Sequence, residues 1–321
     1  MTLCNDELVA IGPMRPARGR TSAVVAVVVA ALIWSTSYAV TKVTLTQIPP
    51  LTIGALRFCA AALILAVVVH ARRDRRPPTV RQRLVIGAAG LLGIAAYFAA
   101  ENLGVDLATA SDATLIVASY PIITLALEVI LRRATLSLIR LTGMLIAVAG
   151  VWLVVRGGAD RDLGNRLWGD ALLILGGLIW TGYNLVAQRD TSGASPMVVT
   201  YYQTLAGALG FLAMSLFETD RWAWPSPTDL GRVLFLAGPC SVAAFGLYNY
   251  GLRRLPSSVA VNLLNIVPVA GLVWAALLTG ESVGAQQIIG GAIVIAGVAA
   301  GLYQRNDHQY ADISNTEKDH V

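Results

Sequence analysis

The chain has 321 residues, of which 56% are hydrophobic and only 13% are charged. Soluble domains carry about 25% charged residues, so this composition excludes an ordinary soluble protein and indicates an integral membrane protein. The formal net charge of +5 would suit a nucleic-acid binder, but the basic residues are divided among loops and tails, so we expect no nucleic-acid partner.

Apolar runs predict helices that cross the bilayer. A run of about 20 residues is long enough, because each residue rises about 1.5 Å and the hydrocarbon core is about 30 Å thick. The sequence contains about ten such runs. They lie near residues 22–46, 51–70, 84–104, 109–131, 138–155, 168–188, 197–217, 233–252, 257–279 and 284–303. The predicted fold class is therefore an all-α integral membrane protein with ten transmembrane helices.

The arginine-rich segment at 71–83 predicts the orientation of these spans. Short cytoplasmic loops carry an excess of Lys and Arg, so this segment is expected to face the cytoplasm. Both termini, the tails at 1–21 and 304–321, then lie in the cytoplasm as well. We expect a multi-pass protein of the bacterial inner membrane.

The first span carries a stripe of larger side chains. Trp34, Tyr38 and Lys42 are spaced by four residues and therefore share one helix face. The sixth span repeats the stripe with Trp180 and Asn184. Such aromatic residues can be anchors at the lipid–water interface. Because both tryptophans lie near the middle of their spans, we favour the wall of a cavity.

Charged residues inside the second and third spans form a second candidate site. Arg57 and Glu101 fall at about the depth of Lys42, roughly 10 Å from the outer surface at 1.5 Å per residue. A charge facing lipid is costly, so these side chains are expected to point into the bundle and could form an ion-pair cluster. That cluster is either a fixed structural pair, or an outer gate or a site for an ionised substrate.

Prolines interrupt the fourth and ninth spans at corresponding places, Pro121 and Pro268. Each could be an ordinary kink, but paired interruptions point to the binding region of a transporter. Asn265 lies just before the second proline. Glu101 and Glu128 are candidate proton carriers, although Glu128 lies four residues before Arg132, and a pair at that spacing explains it without function.

The sequence repeats itself once. An offset of 147 superposes Phe98 on Phe245, and glycine, asparagine and proline positions follow the same offset. The repeats cover 22–155 and 168–303, joined by an external linker at 156–167. Five spans in each half is an odd number, so the second half is predicted to be inverted relative to the first.

Motifs of catalysis and cofactor binding are missing from the sequence. It contains no GxxxxGK phosphate loop, HExxH or CxxC motif, and Cys4, Cys59 and Cys240 do not have the spacing of metal ligands. We therefore expect no enzyme activity, no cofactor and no metal site.

The ordered set of motifs resembles the EamA-type repeat of the drug/metabolite transporter superfamily. The set comprises Trp34 with Lys42, Pro50 with Arg57, FAAENLGVDLATASDATLIVASYP at 98–121, and PSSVAVNLLNIVP at 256–268 followed by TGES. The Gly-Glu pair that closes the fourth and ninth spans in this family is present at Gly280-Glu281. Arg133 and Ala134 replace it in the first half.

The resemblance implies a secondary transporter, with export of a small polar or amino-acid-like metabolite or a xenobiotic as the expected activity. Its partners would be the substrate, the lipid bilayer and, as coupling ions, protons; a monomer and a homodimer both fit. A channel or a non-transporting membrane protein is the alternative, and an intramembrane enzyme fits least. The predicted cavity residues are Trp34, Tyr38, Asn102, Trp180, Asn184, Asn249 and Asn265.

Overall fold

The computed structural model describes residues 17–71, 78–131, 137–156, 163–187, 195–252, 254–255, 263–264 and 266–303, and in these ranges it contains helices and no β-strand. The helices of the first half are α1 (Ala17–Thr44), α2 (Pro50–Ala71), α3 (Val80–Gly90), the π-helix π1 (Leu91–Ala96), α4 (Tyr97–Leu107), α5 (Ala110–Val117), α6 (Tyr120–Ile130) and α7 (Leu138–Arg156). Those of the second half are α8 (Leu163–Ala187), α9 (Pro196–Ser215), a 3-10 helix (Leu216–Arg221), α10 (Pro227–Phe235), the π-helix π2 (Leu236–Ala243), α11 (Ala244–Leu252), α12 (Ile266–Thr279) and α13 (Ala285–Tyr303).

The chain is a multi-pass membrane protein by the length and composition of its helices. Five of the described helices are long and apolar enough to cross a bilayer, and a sixth span is obtained if α5 and α6 count as one. The apolar parts of α7, α12 and α13 are shorter, and α8 carries Arg166 and Asp170 within its first turns. The arrangement as ten spans in two inverted repeats stays a prediction.

Helices of one half pack mainly against helices of the other. The most extensive contacts join α7 to α13, α2 to α9, α1 to α12, and α4 to α8. Between α2 and α9 the absence of a side chain at Gly54 admits the ring of Phe211, which also stacks on Phe58 with ring centroids 5.5 Å apart. The two sequence repeats are therefore interlocked, and any cavity at the centre is walled by both.

Glycines allow α7 and α13 to touch through their backbones. A Cβ placed on Gly150 would lie 2.7 Å from the nitrogen of Val294 and 2.8 Å from the carbonyl oxygen of Gly290. Such distances are shorter than van der Waals contact, and neighbouring backbone atoms cannot rotate away as a flexible side chain can. Small residues at membrane helix crossings allow this close approach.

The Gly150→Ala variant is therefore expected to unfold more readily than the native protein. The added methyl group forces α7 and α13 apart, at a cost of about 1–3 kcal/mol for overpacking. Gly231→Ala is the matched control, since no described atom lies within 4 Å of the Cβ it would add and alanine favours a helix. Thermal unfolding in detergent tests this: equal midpoints for the two variants would contradict the tight crossing.

Candidate functional site

A narrow cavity lies between the two halves near the middle of the bundle. Its aromatic wall is formed by Phe58 of α2, Trp180 and Tyr183 of α8, and Phe245 of α11. Polar groups on the wall include Gln203 of α9 and Ser241 of π2. The space that these residues enclose measures about 10 Å³, which is room for about one water molecule, so the cavity is closed in this structure. Its aromatic lining with a few convergent polar groups is typical of a small-molecule site, but a substrate can enter it only after the wall residues move apart.

Both π-helices reach this cavity. π1 contributes Gly93 and π2 contributes Ser241, and the two segments occupy matching places in the two halves. A Cβ on Gly93 would lie 2.3 Å from the Tyr183 ring, so the glycine lets α8 approach π1. π-helical turns are rare and are concentrated at functional sites. Pro239 inside π2 is the one local signal of such a turn in the sequence.

The paired tryptophans are held by aromatic neighbours from other helices. Trp34 packs on Phe245, with ring centroids 5.1 Å apart, and its Nε1 donates a hydrogen bond to the carbonyl oxygen of Cys240 at 2.9 Å. Trp180 packs on Tyr97 with centroids 5.1 Å apart and lines the cavity itself. Trp34 thus supports the cavity wall from behind Phe245, whereas Trp180 is part of it.

Arg57 is a buried cation beside the cavity. Arg57 is only 1% exposed. Its Nε donates a hydrogen bond to the hydroxyl group of Ser241 at 2.8 Å. Its guanidinium group lies over the rings of Phe58 and Phe98, at 5.0 and 4.6 Å from the ring centroids. Its Nη1 has no hydrogen-bond partner among the described residues. A buried guanidinium with a free donor is costly unless an acceptor joins it.

Glu101 supplies the opposite charge in the same region. It is 3% exposed and accepts a hydrogen bond of 2.7 Å from the hydroxyl of Tyr97. Arg57 and Glu101 form no direct ion pair, since no nitrogen of Arg57 lies within 4.0 Å of the Glu101 carboxylate. The two side chains are therefore separate, and each is hydrogen-bonded to a hydroxyl group.

Lys42 does not join these two residues in the expected ion-pair cluster. Its ammonium group donates instead to backbone carbonyls where α4 ends, which carry the negative end of the helix dipole. The acceptors are Val105, Asp106 and Ala108, at 2.7, 2.9 and 2.6 Å. The sequence predicts the three charges at one depth. It does not show that the ammonium group of Lys42 would bind the backbone carbonyls at the end of α4.

The other predicted residues divide into two groups. Tyr38 is buried in a contact between helices, and Asn102 donates to the carbonyl oxygen of Pro50 at 2.9 Å, so neither lies on the cavity wall. The side chains of Asn184 and Asn249, and all of Asn265, lie outside the described residues, as does the side chain of Glu128. Their predicted roles are not addressed by the geometry.

The helix break at Pro121 is visible in the structure. α5 ends at Val117, α6 begins at Tyr120 with Pro121 as its second residue, and the two helices are bent by 41°. In the second half Pro268 is the third residue of α12. Both prolines therefore stand in the first turn of a helix, where the missing N–H leaves no backbone acceptor unsatisfied.

Carboxylates cap two helices at the end of the bundle where α1 ends and α2 begins, which we name the capped end. Glu281 accepts hydrogen bonds from the backbone nitrogens of Ala110 and Ser111 at the start of α5. Glu218 does the same for Leu51 and Thr52 at the start of α2. Each carboxylate comes from the second half and satisfies free N–H groups of the first half, where the helix dipole is positive.

A buried ion pair also links the halves at the capped end. Arg166 of α8 makes two parallel hydrogen bonds to Asp112 of α5, at 2.8 and 3.0 Å, and Gln287 of α13 donates to the same carboxylate at 2.9 Å. The sequence does not predict this pair, because residues 156–167 are expected from it to form an external linker. α8 in fact begins at Leu163, which places Arg166 inside the bundle.

The sequence of this chain matches one family of membrane proteins twice. The EamA-like transporter family matches residues 21–156 and again 167–302, which together make up most of the chain. The protein belongs to the EamA-like transporter family. The resemblance read from the sequence motifs is thereby confirmed, and the two matches coincide closely with the two predicted repeats.

Relatives of this family member are named as transporters. An uncharacterized transporter of Archaeoglobus fulgidus is 24% identical over 83% of this chain and 92% of its own length. The uncharacterized inner membrane transporter YedA of Escherichia coli K12 is 26% identical over 78% and 81%. A probable amino-acid metabolite efflux pump of Salmonella typhimurium is 24% identical over 85% and 92%. Among the solved structures that match, a crystal structure has a TM-score of 0.61 at 21% identity and covers 88% of this chain and 96% of its own, which shows a shared fold.

The family and these relatives indicate a membrane transporter of a small molecule rather than an enzyme. The described residues contain no group of three or more His, Cys, Asp or Glu residues that could hold a metal ion.

Proposed function

We propose that the protein is a secondary transporter of the bacterial inner membrane that exports a small zwitterionic, amino-acid-like metabolite by alternating access. The observation that carries the proposal is the cavity between the halves, with the buried Arg57 bound to its wall residue Ser241. The relative named as a probable amino-acid metabolite efflux pump supports the substrate class and the direction.

The pattern of helix contacts supports two inverted repeats of five spans. α2 pairs with α9 and α7 with α13, so each of these helices contacts its own counterpart. The contact of α4 with α8 has its counterpart in that of α11 with α1. Likewise, the first helix of each half, α1 or α8, packs on the fourth span of the other half: α1 contacts α12, and α8 contacts α5 and α6. Such reciprocal pairing is what a twofold relation between two repeats produces, and inverted repeats provide two alternative openings to one site.

The charges beside the cavity suit a zwitterion. A substrate carboxylate would satisfy the free Nη1 of Arg57 through a charge-assisted hydrogen bond. A substrate ammonium group would face the carboxylate of Glu101, which lies close to Arg57 without pairing with it. The aromatic side chains on the wall would receive an apolar part of the substrate.

The capped end is assigned to the external side by the arginine-rich segment at 71–83, because that segment precedes α3 at the opposite end. The hydrogen bonds of Glu218, Glu281 and Arg166 join the halves there, which supports a state closed to the outside. Outward opening then requires these contacts to break.

Export is tested by comparing metabolites in the medium of cells that express the native protein or the Trp34→Ala variant at equal membrane levels. Trp34→Ala removes the hydrogen bond to Cys240 and the support of Phe245, and is expected to lower export about tenfold, equivalent to about 1.4 kcal/mol in the barrier. Trp168→Ala is the matched control, because that side chain is 70% exposed. Equal losses in both variants would contradict the role of Trp34 in supporting the cavity wall.

Counterflow in proteoliposomes separates the transporter from the alternatives. A carrier accelerates uptake of labelled substrate when unlabelled substrate fills the vesicle, and its rate saturates with concentration. A channel gives flux without counterflow, and a non-transporting protein gives neither. Absence of counterflow for every metabolite enriched by the native protein would overturn the proposed function.

A further inference from the structure

Near its start, α8 carries an acidic side chain that the proposed transport cycle does not use. Asp170 is 2% exposed, and neither of its carboxylate oxygens has a hydrogen-bond partner among the described residues. One turn earlier on the same helix, the Nη1 of the buried Arg166 also lacks a described partner. Residues four apart share a helix face, so these unpartnered groups lie on the same side of α8, although no nitrogen of Arg166 comes within 4.0 Å of the Asp170 carboxylate.

Arg166 uses its remaining nitrogens to hold the two halves together. Its Nε and Nη2 bind Asp112 of α5, and Nη2 also donates to the carbonyl oxygen of Val154 in α7 at 3.2 Å. Gln287 of α13 adds its hydrogen bond to Asp112. This group of contacts connects α8 and α13 of the second half with α5 and α7 of the first.

The buried charges at this place do not balance when both carboxyl groups are ionised. Asp112 and Asp170 then carry two negative charges against the single positive charge of Arg166, and all three are at least 96% buried. Two carboxylates that share one site resist ionising together. One proton on Asp170 makes the group neutral and leaves Arg166 entirely to Asp112.

We propose that Asp170 is a proton-binding site that controls the closure of the capped end. With a proton on Asp170, Arg166 stays on Asp112 and the halves remain joined. When the proton leaves for the external water, the Asp170 carboxylate accepts hydrogen bonds from Arg166, beginning at its free Nη1, and competes with Asp112. The link between the halves weakens, and the capped end opens.

The surroundings of Asp170 restrict this competition to a few groups. The charged side chains that act on Asp170 are Asp112 from α5 and Arg166 from its own helix. α13 contributes the neutral amide of Gln287 and α7 contributes a backbone carbonyl, both bound to the ion pair. α4 approaches through Gly104, whose carbonyl oxygen would lie 2.8 Å from a Cβ on Gly169, and so brings backbone beside Asp170. Lys42 acts on Asp112 from further along the capped end.

The proposal rests on alternating access only for the opening step, and its test does not depend on transport. A single cysteine is introduced as Thr114→Cys after Cys4, Cys59 and Cys240 have been replaced by alanine. Thr114 is fully buried on α5 against Gly271 of α12, two residues after Asp112 in the chain. The probe is a membrane-impermeant thiol reagent that is added from outside at pH values between about 5 and 9. This range includes the pKa values that carboxyl groups reach in buried sites.

The rate of labelling is compared at each pH between proteins with Asp170 and with Asp170→Asn. The asparagine is neutral at every pH, as protonated Asp170 is, and the ratio cancels the pH dependence of the thiol itself. We expect a ratio near one at low pH that rises to about tenfold at high pH, which corresponds to about 1.4 kcal/mol. A ratio that does not change with pH would overturn the proposal.

The Gln287→Leu variant provides a second test that keeps Asp170 in place. Losing the amide contact to Asp112 weakens the closed state, so labelling is expected to rise at a lower pH than in the protein with Gln287. An unchanged midpoint would contradict the link between the proton and the ion pair. If labelling follows this pattern while counterflow is absent, the proton site stands and the proposed transport function fails.

Discussion

Replacing Arg57 with methionine is expected to abolish transport of a zwitterionic substrate while leaving the protein folded. Methionine has a similar length and suits the space between Phe58 and Phe98, so the packing is largely kept. The substrate carboxylate, however, would enter the cavity without its charged donor. Removing one partner of a buried charge pair costs about 2–5 kcal/mol, which predicts a decrease of roughly 30-fold to several thousand-fold in counterflow rate.

Arg232→Met is the matched control for this substitution. Arg232 pairs with Asp229 at 2.7 Å within α10, but its side chain is 33% exposed, and partly exposed pairs contribute little. Its counterflow rate is expected to stay near that of the native protein. Native-like transport by Arg57→Met, at equal amounts of folded protein, would show that Arg57 is a structural residue and would remove the argument for a zwitterion.

A complementary change separates the two charges of the substrate. Glu101→Gln keeps the hydrogen bond from Tyr97 but removes the negative charge near the cavity. It is expected to impair transport of the amino acid while a carboxylate analogue that lacks the ammonium group is transported as well as before. Equal impairment for both compounds would mean that Glu101 acts on the fold or on Arg57 rather than on the ammonium group.

Patterns along one helix could be predicted from the sequence, whereas partners far apart in the chain could not. The bilayer demands long apolar helices, so an all-helical membrane protein could be predicted from composition, whereas the ten spans in two inverted repeats stay a prediction. Glu281 and Ala110 are separated by 171 residues, and Glu218 and Leu51 by 167. No local pattern says which helix start a distant carboxylate will cap. The Gly-Glu pair at 280–281 did mark Glu281 as unusual, but not its contact.

The π-helices and Arg57 show a second limit. A π turn adds a residue to a helix whose sequence remains apolar and regular, so π1 left no signal beyond the glycines around it. Arg57 was recognised as a costly buried charge, but its association with Ser241 depends on how π2 presents that hydroxyl to α2. The packing of the two halves against each other determines both the π-helices and the contact between Arg57 and Ser241. That packing is a property of the whole bundle and not of one helix.

A disulfide between α3 and α9 is expected to stop transport completely and reversibly. A Cβ on Gly87 would lie 3.9 Å from the Cβ of Ala206, within the range of about 3.5–4.5 Å that a disulfide requires. Both helices begin at the end opposite the capped end. α3 continues into π1, which carries the cavity residue Gly93, and α9 itself carries the cavity residue Gln203 three residues before Ala206. A substrate that enters the cavity from the cytoplasm must pass between elements that this bond would join.

The pair Gly87→Cys and Ala206→Cys is introduced into a protein without its native cysteines that still transports. Oxidation is expected to lower counterflow to less than about a tenth, and a reductant should restore it, because only the covalent bond opposes the opening. The two single-cysteine proteins should transport equally well before and after oxidation. Continued transport with the disulfide verified as formed would mean that α3 and α9 stay together throughout the cycle.

The same bond also distinguishes a carrier from a channel. In alternating access the site opens to one side at a time, so holding α3 to α9 leaves the outward-open state as the only open state. Oxidation should then increase labelling of Thr114→Cys from outside, as the equilibrium shifts toward opening of the capped end. A channel has no such reciprocity, and there the bond would block flux without changing access to Thr114. A rise in external labelling together with the loss of counterflow would therefore support coupled opening and closing of the two ends.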